Sequence, residues 1–254
     1  MLKKDYKVDA LRVKIYGSRA AMGAAAAADV AACLRGLLAK QKEVWMIFAA
    51  APSQNEALAA LCAEEGVDWT RVHAVHMDEY VGLPADHPAG FGNFLKRGIF
   101  DRLPFASVHL IGSQKAPEQA IADYDRLLAE HHPDLCLMGI GENGHIAFND
   151  PHVADFDDPV RIKKVDLDLK CRTQQVHDGC FARLEEVPEY ALTLTVPTLF
   201  GCPHLFCVVP APTKAEAVRT TLQGPVSEAC PASILRRHGD ATLYLDPDSA
   251  SLIL

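Results

Sequence analysis

A chain of 254 residues, 49% of them hydrophobic, can bury one substantial core, and its length suits a single large α/β domain over 1–254. A net charge of -8 and a pI near 5.7 exclude the broad basic face of a general nucleic-acid binder, while leaving room for a local basic pocket that holds an anion. Eight cysteines form no Cys-x-x-Cys pair, and several sit inside apolar runs such as DLCLMGI and HLFCVV, as reduced thiols of a cytoplasmic protein do.

At the N-terminus, charges interrupt the apolar residues of MLKKDYKVDALRVKIYG, so no signal-peptide core forms. Leu11 to Tyr16 alternates like a short strand, and Ser18 offers an N-cap for a helix reaching about Lys40. The alanine-rich part of that helix carries Asp29 and Arg35, which marks a packed helix rather than a membrane span. Val44 to Ala50 is a buried strand, followed by a helix predicted to end near Gly66. Ser53 and Glu56 have capping-box spacing at its start, where free backbone N–H groups suit a phosphate.

Val72 to Met77 reads as the next strand and runs into Asp78, Glu79 and Tyr80, with Gly82 allowing a turn. The carboxyl ends of parallel strands face the ligand crevice, so Asp78 is the candidate catalytic base. The loop LPADHPAGFG has the size of a lid and precedes a helical segment around Asn93 to Leu103. A short strand at Val108 to Ile111, a helix from Ala116 to His131 and a buried strand from Leu135 to Gly141 follow. Three glycines, Gly139, Gly141 and Gly144, then permit close backbone approach and present His145, with Asp150 further along the same loop.

Beyond it, Arg161 to Val165 reads as an edge strand, and Tyr190 to Val196, His204 to Val209 and Ala241 to Leu245 as further strands. A helix is predicted from Ala215 to Leu222, with Thr213 and Glu216 again at capping-box spacing. Lys214 falls in its first turn, where a cation opposes the helix dipole, and this points to an anionic ligand. Cys202, His204 and Cys207 are close enough in sequence to raise zinc, yet they open a strand, and no metal is expected. Alternating strands and helices imply a mainly parallel sheet with helices on both faces. The absence of a Gly-x-Gly-x-x-Gly after the first strand and of a Walker sequence disfavours dinucleotides and nucleoside triphosphates.

Four segments together carry a family likeness: MDEYVGLPADHP at 77–88, GIGENGHIAFNDP at 139–151, EVPEYALTLTVPTL at 186–199, and the segment around Lys214. In their order and spacing, from about Trp45 to Asp246, the chain resembles glucosamine-6-phosphate deaminases, and Asp-Glu-Tyr before Val-Gly-Leu-Pro looks like that branch rather than the related 6-phosphogluconolactonases. The resemblance implies a Rossmann-like single domain that converts glucosamine 6-phosphate and water to fructose 6-phosphate and ammonia without metal or organic cofactor. It implies a small sugar phosphate as ligand, no nucleic-acid or membrane partner, and a homo-oligomer as one possible assembly. It assigns Asp78 the proton transfer between C2 and C1 and His145 the ring opening, with Asn143, Asp150 and Glu79 completing the catalytic set. Ser53, Ala51 and Lys214 fall around the phosphate, with Arg172 a further candidate there.

Three positions depart from the family pattern. Asn143 stands where many members have aspartate, and Asp150 where they have glutamate. Asn143 can orient His145 by a hydrogen bond but cannot stabilise an imidazolium by charge. The phosphate loop reads Ala49-Ala-Ala-Pro-Ser53 in place of a Gly-Gly-Thr-Pro type, and Pro52 supplies no N–H. Effector-activated members use basic residues near Arg161 and Lys163 with a C-terminal extension; the chain stops at Leu254, so activation of that kind is not expected. Two other readings fit the same residues: a lactonase in which His145 activates water, and a non-catalytic sugar-phosphate sensor. Nothing in the sequence separates glucosamine from galactosamine 6-phosphate.

Overall fold

Mostly apolar runs four to six residues long form the buried strands of the main sheet, and the helical segments between them force most neighbours to run parallel. The computed structural model describes residues 1–254. Its strands are β1 (Leu2–Val8), β2 (Leu11–Tyr16), β3 (Val44–Phe48), β4 (Val72–His76), β5 (Asp78–Tyr80), β6 (Ser107–His109), β7 (Leu135–Met138), β8 (Ile162–Asp166), β9 (Tyr190–Leu194), β10 (His204–Val209) and β11 (Ala241–Leu245). Its helices are α1 (Arg19–Leu38), α2 (Asn55–Leu61), α3 (Phe91–Leu95), α4 (Pro117–Glu130), α5 (Leu169–His177), α6 (Val196–Phe200) and α7 (Ala215–Gln223).

The main sheet has the order β1-β2-β11-β10-β7-β3-β4-β6 and is parallel except for the β1–β2 hairpin. Helices cover both faces, as expected. Side chains of β3 alternate between two cores, Met46 and Phe48 joining α1 and α2 on one side, Trp45 and Ile47 joining α4 on the other. The apolar face of α1, including Met22, Val30 and Leu34, is fully buried in the first of these.

Chain order reverses between β3 and β7. From β3 the chain proceeds outward to β4 and β6, whereas β7 is followed by β10 and β11 on the other side. Such a switch point opens a crevice beyond the carboxyl ends of the two strands, and the segments after β3, β4, β7 and β10 all border it.

Several expectations need correction. The charged N-terminus forms β1, an edge strand whose side chains are mostly exposed and therefore lack the apolar signature of a buried strand. The helix predicted to end near Gly66 stops at Leu61. The one predicted from Asn93 begins at Phe91 and continues after Leu95 as a π turn through Phe100, because the Glu79 carboxylate receives the Phe91 and Gly92 N–H groups. Asp78–Tyr80 is itself a strand of a second, antiparallel sheet ordered β5-β9-β8, whose edge is the strand expected near Arg161. Helix α5 went unrecognised; Asp168 caps it by accepting from Cys171 N at 2.5 Å.

Candidate active site

The crevice is lined by Ala49, Ala50, Ala51 and Ser53 after β3, Met77 and Asp78 after β4, Gly139 to Gly141 and His145 after β7, and Lys214 after β10, with Gln174 and Gln175 from α5. Asp78, His145, Ser53, Ala51 and Lys214, distant in sequence, thus share one cavity. Asp78 is 6% exposed, and burial together with the neighbouring Glu79 charge holds its carboxyl well above the usual carboxylate range. No protein donor contributes to stabilising its charged form.

Glu79 points the opposite way, as strand alternation requires. Its Oε1 accepts from Tyr80 N at 2.9 Å and Phe91 N at 3.0 Å, and its Oε2 accepts from Gly92 N at 2.9 Å. Burial raises its carboxyl, and these three N–H groups oppose that shift. Glu79 lies outside the cavity lining and anchors the start of α3, so its inclusion among the catalytic residues is withdrawn.

His145 packs its ring against Gly141, where a Cβ would lie 2.1 to 2.4 Å from ring atoms, so only glycine leaves the imidazole its place. Its Nδ1 lies 2.9 Å from Asp150 Oδ1, close but poorly aligned for a hydrogen bond. This leaves Nε2 without a protein partner on a ring that lines the cavity. Burial works to raise the Asp150 carboxyl, yet His145, Asn143 and the Asp168 N–H outweigh it and hold it below the ordinary range. A charge partner for the imidazole is therefore present, supplied by Asp150.

Asn143 acts on the loop rather than on the ring. Its Nδ2 donates to Asp150 Oδ1 at 2.8 Å and Asp168 Oδ2 at 3.0 Å, while its Oδ1 accepts from the His145 backbone N–H at 3.1 Å. An aspartate here would lose both donated bonds and place a third carboxylate beside two others, which gives a physical reason for asparagine in this chain.

Lys214 is 3% exposed and forms no ion pair; burial lowers its pKa, and Asp178, Glu142 and the Cys171 thiol pull in the other direction. Neither predicted capping box forms. Each helix is entered through a 3₁₀ turn, Pro52–Gln54 or Pro212–Lys214, which moves the N-caps to Gln54 and Lys214. Glu56 instead meets Arg19 at 2.8 Å, and Glu216 meets Arg219 at 2.5 Å. Ser53 Oγ accepts from Gln54 Nε2 at 3.1 Å and remains on the cavity wall.

Arg172 does not reach the cavity. Its guanidinium donates to the carbonyls of Leu184 and Val187 at 3.1 and 2.9 Å, so it ties α5 to the following turn, and its assignment to the phosphate is withdrawn. Gln174 and Gln175 face the cavity in its stead, and sequence reasoning missed both; Asp168 at N-cap spacing ahead of Cys171 was the available signal for their helix. Arg161 pairs with Asp125 at 3.1 Å and Lys163 with Asp158 at 2.7 Å. His204 is engaged with Asp240 at 2.5 Å, while Cys202 and Cys207 are buried in the core.

The doubly covered sheet with a polar crevice at its switch point, holding an unpaired carboxylate, an imidazole and a buried lysine, defines an α/β enzyme class suited to small anionic substrates. Residues 17–244 match the family described as glucosamine-6-phosphate isomerases/6-phosphogluconolactonase, and the chain belongs to it. A protein of Exiguobacterium sibiricum named glucosamine-6-phosphate deaminase is 38% identical over 191 residues, which span 75% of this chain and 74% of its own. The solved structure of a monomeric glucosamine-6-phosphate deaminase superposes with a TM-score of 0.86 at 26% identity, covering 94% of this chain and 99% of that one. The 6-phosphogluconolactonase of Trypanosoma brucei shares the fold, with a TM-score of 0.79 at 15% identity over 99% of this chain and 100% of its own.

Proposed function

We propose that this protein converts glucosamine 6-phosphate and water to fructose 6-phosphate and ammonia. The observation that carries the reading is Asp78, a desolvated carboxylate without a protein donor, sharing a cavity with an imidazole backed by Asp150 and with one buried ammonium. Lys214 and the Ser53 turn hold the phosphate and fix the sugar's orientation, which lowers the barrier by removing freedom from the reacting carbons. His145, through Nε2, relays the C1 hydroxyl proton to the ring oxygen as the C1–O5 bond breaks and the pyranose opens to the aldehyde. Asp78 removes the C2 proton and returns it to C1. A proton passes from the C2 nitrogen to O1 in the same isomerisation, so the amino aldehyde becomes an imino alcohol; water attacks the imine carbon, and the resulting carbinolamine expels ammonia.

A carboxylate raised by burial is a stronger base than one in water, which suits abstraction from carbon. A lactonase needs an activated water but no base shuttling between adjacent carbons, so the placement of Asp78 favours the deaminase reading. All the residues invoked come from one chain, and the proposed chemistry needs no second copy.

A coupled assay tests the proposal: ammonia and fructose 6-phosphate are measured from glucosamine 6-phosphate, with galactosamine 6-phosphate and 6-phosphogluconolactone in parallel. Stoichiometric ammonia and ketose are expected, and Asp78→Asn should lower turnover by about 10²- to 10⁴-fold. Hydrolysis of the lactone without ammonia from either amino sugar would overturn the assignment.

A further inference from the structure

The anion end of the cavity contains a single cation. Lys214 is the only lysine or arginine on the cavity wall, and Asp178 and Glu142 are near enough to offset its charge. Helix α5 contributes two neutral amides beside it. That of Gln174 is occupied at both ends, its Oε1 accepting from Glu142 N at 2.7 Å and its Nε2 donating to Asp178 Oδ2 at 3.2 Å. Gln175 also lines the cavity and is 6% exposed, but its carboxamide makes no hydrogen bond within the protein. Its amide therefore opens onto the cavity with donors and acceptor free for a ligand.

We propose that Gln175 is a direct ligand of the substrate's phosphate, donating Nε2–H to a phosphate oxygen whose charge Lys214 balances, so that this is a one-cation phosphate site. The proposal rests on the reading of Lys214 as the phosphate anchor. Serine hydroxyl and glutamine amide then supply direction without charge, and the affinity for the anion depends on the charge carried by position 175. A carboxylate there would cancel the field of Lys214, and a guanidinium would double it and offer a bidentate fork.

Inorganic phosphate is the probe, with its dissociation constant measured by calorimetry on the full chain and far-UV circular dichroism confirming that each variant is folded. Gln175→Glu, which keeps the side chain's shape, should weaken phosphate binding by about tenfold or more, and Gln175→Arg should tighten it by about tenfold. Lys214→Met should weaken it more than Gln175→Glu does. If Gln175→Glu binds phosphate as the unaltered protein does while Lys214→Met does not, the role of Gln175 is refuted and the phosphate reading of Lys214 stands. If Lys214→Met also binds normally, the anion is held elsewhere and both fall.

Discussion

Asp78 places a carboxylate where folding least tolerates its charge. Because burial raises its folded-state pKa above the unfolded value, the native protein holds the proton through a pH range in which the unfolded chain has released it. The sign follows: stability linked to this group is fully present at low pH and declines as pH rises from the unfolded value through the raised native one. Asparagine has the same shape and no charge, so Asp78→Asn should melt at a higher temperature than the unaltered protein at neutral pH, with the difference shrinking toward pH 4. Thermal melts across that range check this; a gap independent of pH would mean that Asp78 carries no strained charge. The sequence singled out Asp78 because a buried strand ended there, but it could not separate it from Glu79 next door. Only the pairing of Asp78 with Thr193 fixes which carboxylate faces the crevice and which meets the N–H groups of α3. Arg172 misled for a related reason: a cation in the right segment drew attention, whereas the rotation of α5 turns Gln175 inward and Arg172 toward Leu184.

The elements of the main sheet were legible because β3, β4, β7, β10 and β11 are buried apolar runs with helical segments between them. Their junctions were not. The turn before α7 shows why: Ala211 has φ 85° and ψ 149°, a region reserved almost entirely for glycine, and nothing in Pro-Ala-Pro-Thr-Lys announces it. The conformation is imposed from β11, where the buried Asp246 carboxylate accepts from Ala211 N at 3.2 and 3.3 Å while also receiving Ser249 N at 2.8 Å. Lys214 N closes the turn onto the Ala211 carbonyl at 3.2 Å, so the strained residue sets the path that brings the ammonium to the cavity. Glycine would adopt this conformation without strain, at the smaller cost of a more flexible unfolded chain. Ala211→Gly should therefore raise unfolding stability by about 1 kcal/mol, the difference between roughly 1–3 kcal/mol of relieved strain and roughly 0.4–1 kcal/mol of chain entropy. Urea unfolding measures it, and a destabilised variant would show that the turn holds no such strain.

At the scale of the molecule, the catalytic proposal needs two loops from different strands to stay in register across a crevice, and the second sheet provides the link. Strand β9 pairs with β5 through Thr193 and Asp78, and its Leu194 N donates to the Met77 carbonyl at 2.8 Å. The same two residues hold the histidine loop: Thr193 Oγ1 accepts from Phe148 N at 3.0 Å, and the Leu194 carbonyl accepts from Asn149 Nδ2 at 2.8 Å. Asn149 is fully buried and donates also to the Ile146 carbonyl at 2.9 Å, which joins its own loop to β9, the strand that pairs with Asp78. The run from Tyr190 to Val196 reads as a strand from its residues alone, but a partner more than a hundred positions away in sequence leaves no local trace, so this clamp was invisible before the fold. Lys214 follows β10 and takes no part in these hydrogen bonds. Removing the amide should therefore affect the two functions unequally. Asn149→Ala removes two buried hydrogen bonds, while the Ile146 carbonyl keeps its bond from Asn149 N and the Leu194 carbonyl its bond from Thr193 Oγ1, and should cost about 1–3 kcal/mol of stability. In the protein that remains folded, turnover should fall at least tenfold while inorganic phosphate binds within about twofold of the unaltered protein, since the base and the imidazole lose their common support but the anion site does not. Steady-state kinetics and phosphate titration on one preparation provide the comparison. Turnover preserved in a folded, destabilised variant would mean that each loop holds its own position and that β9 does not couple them.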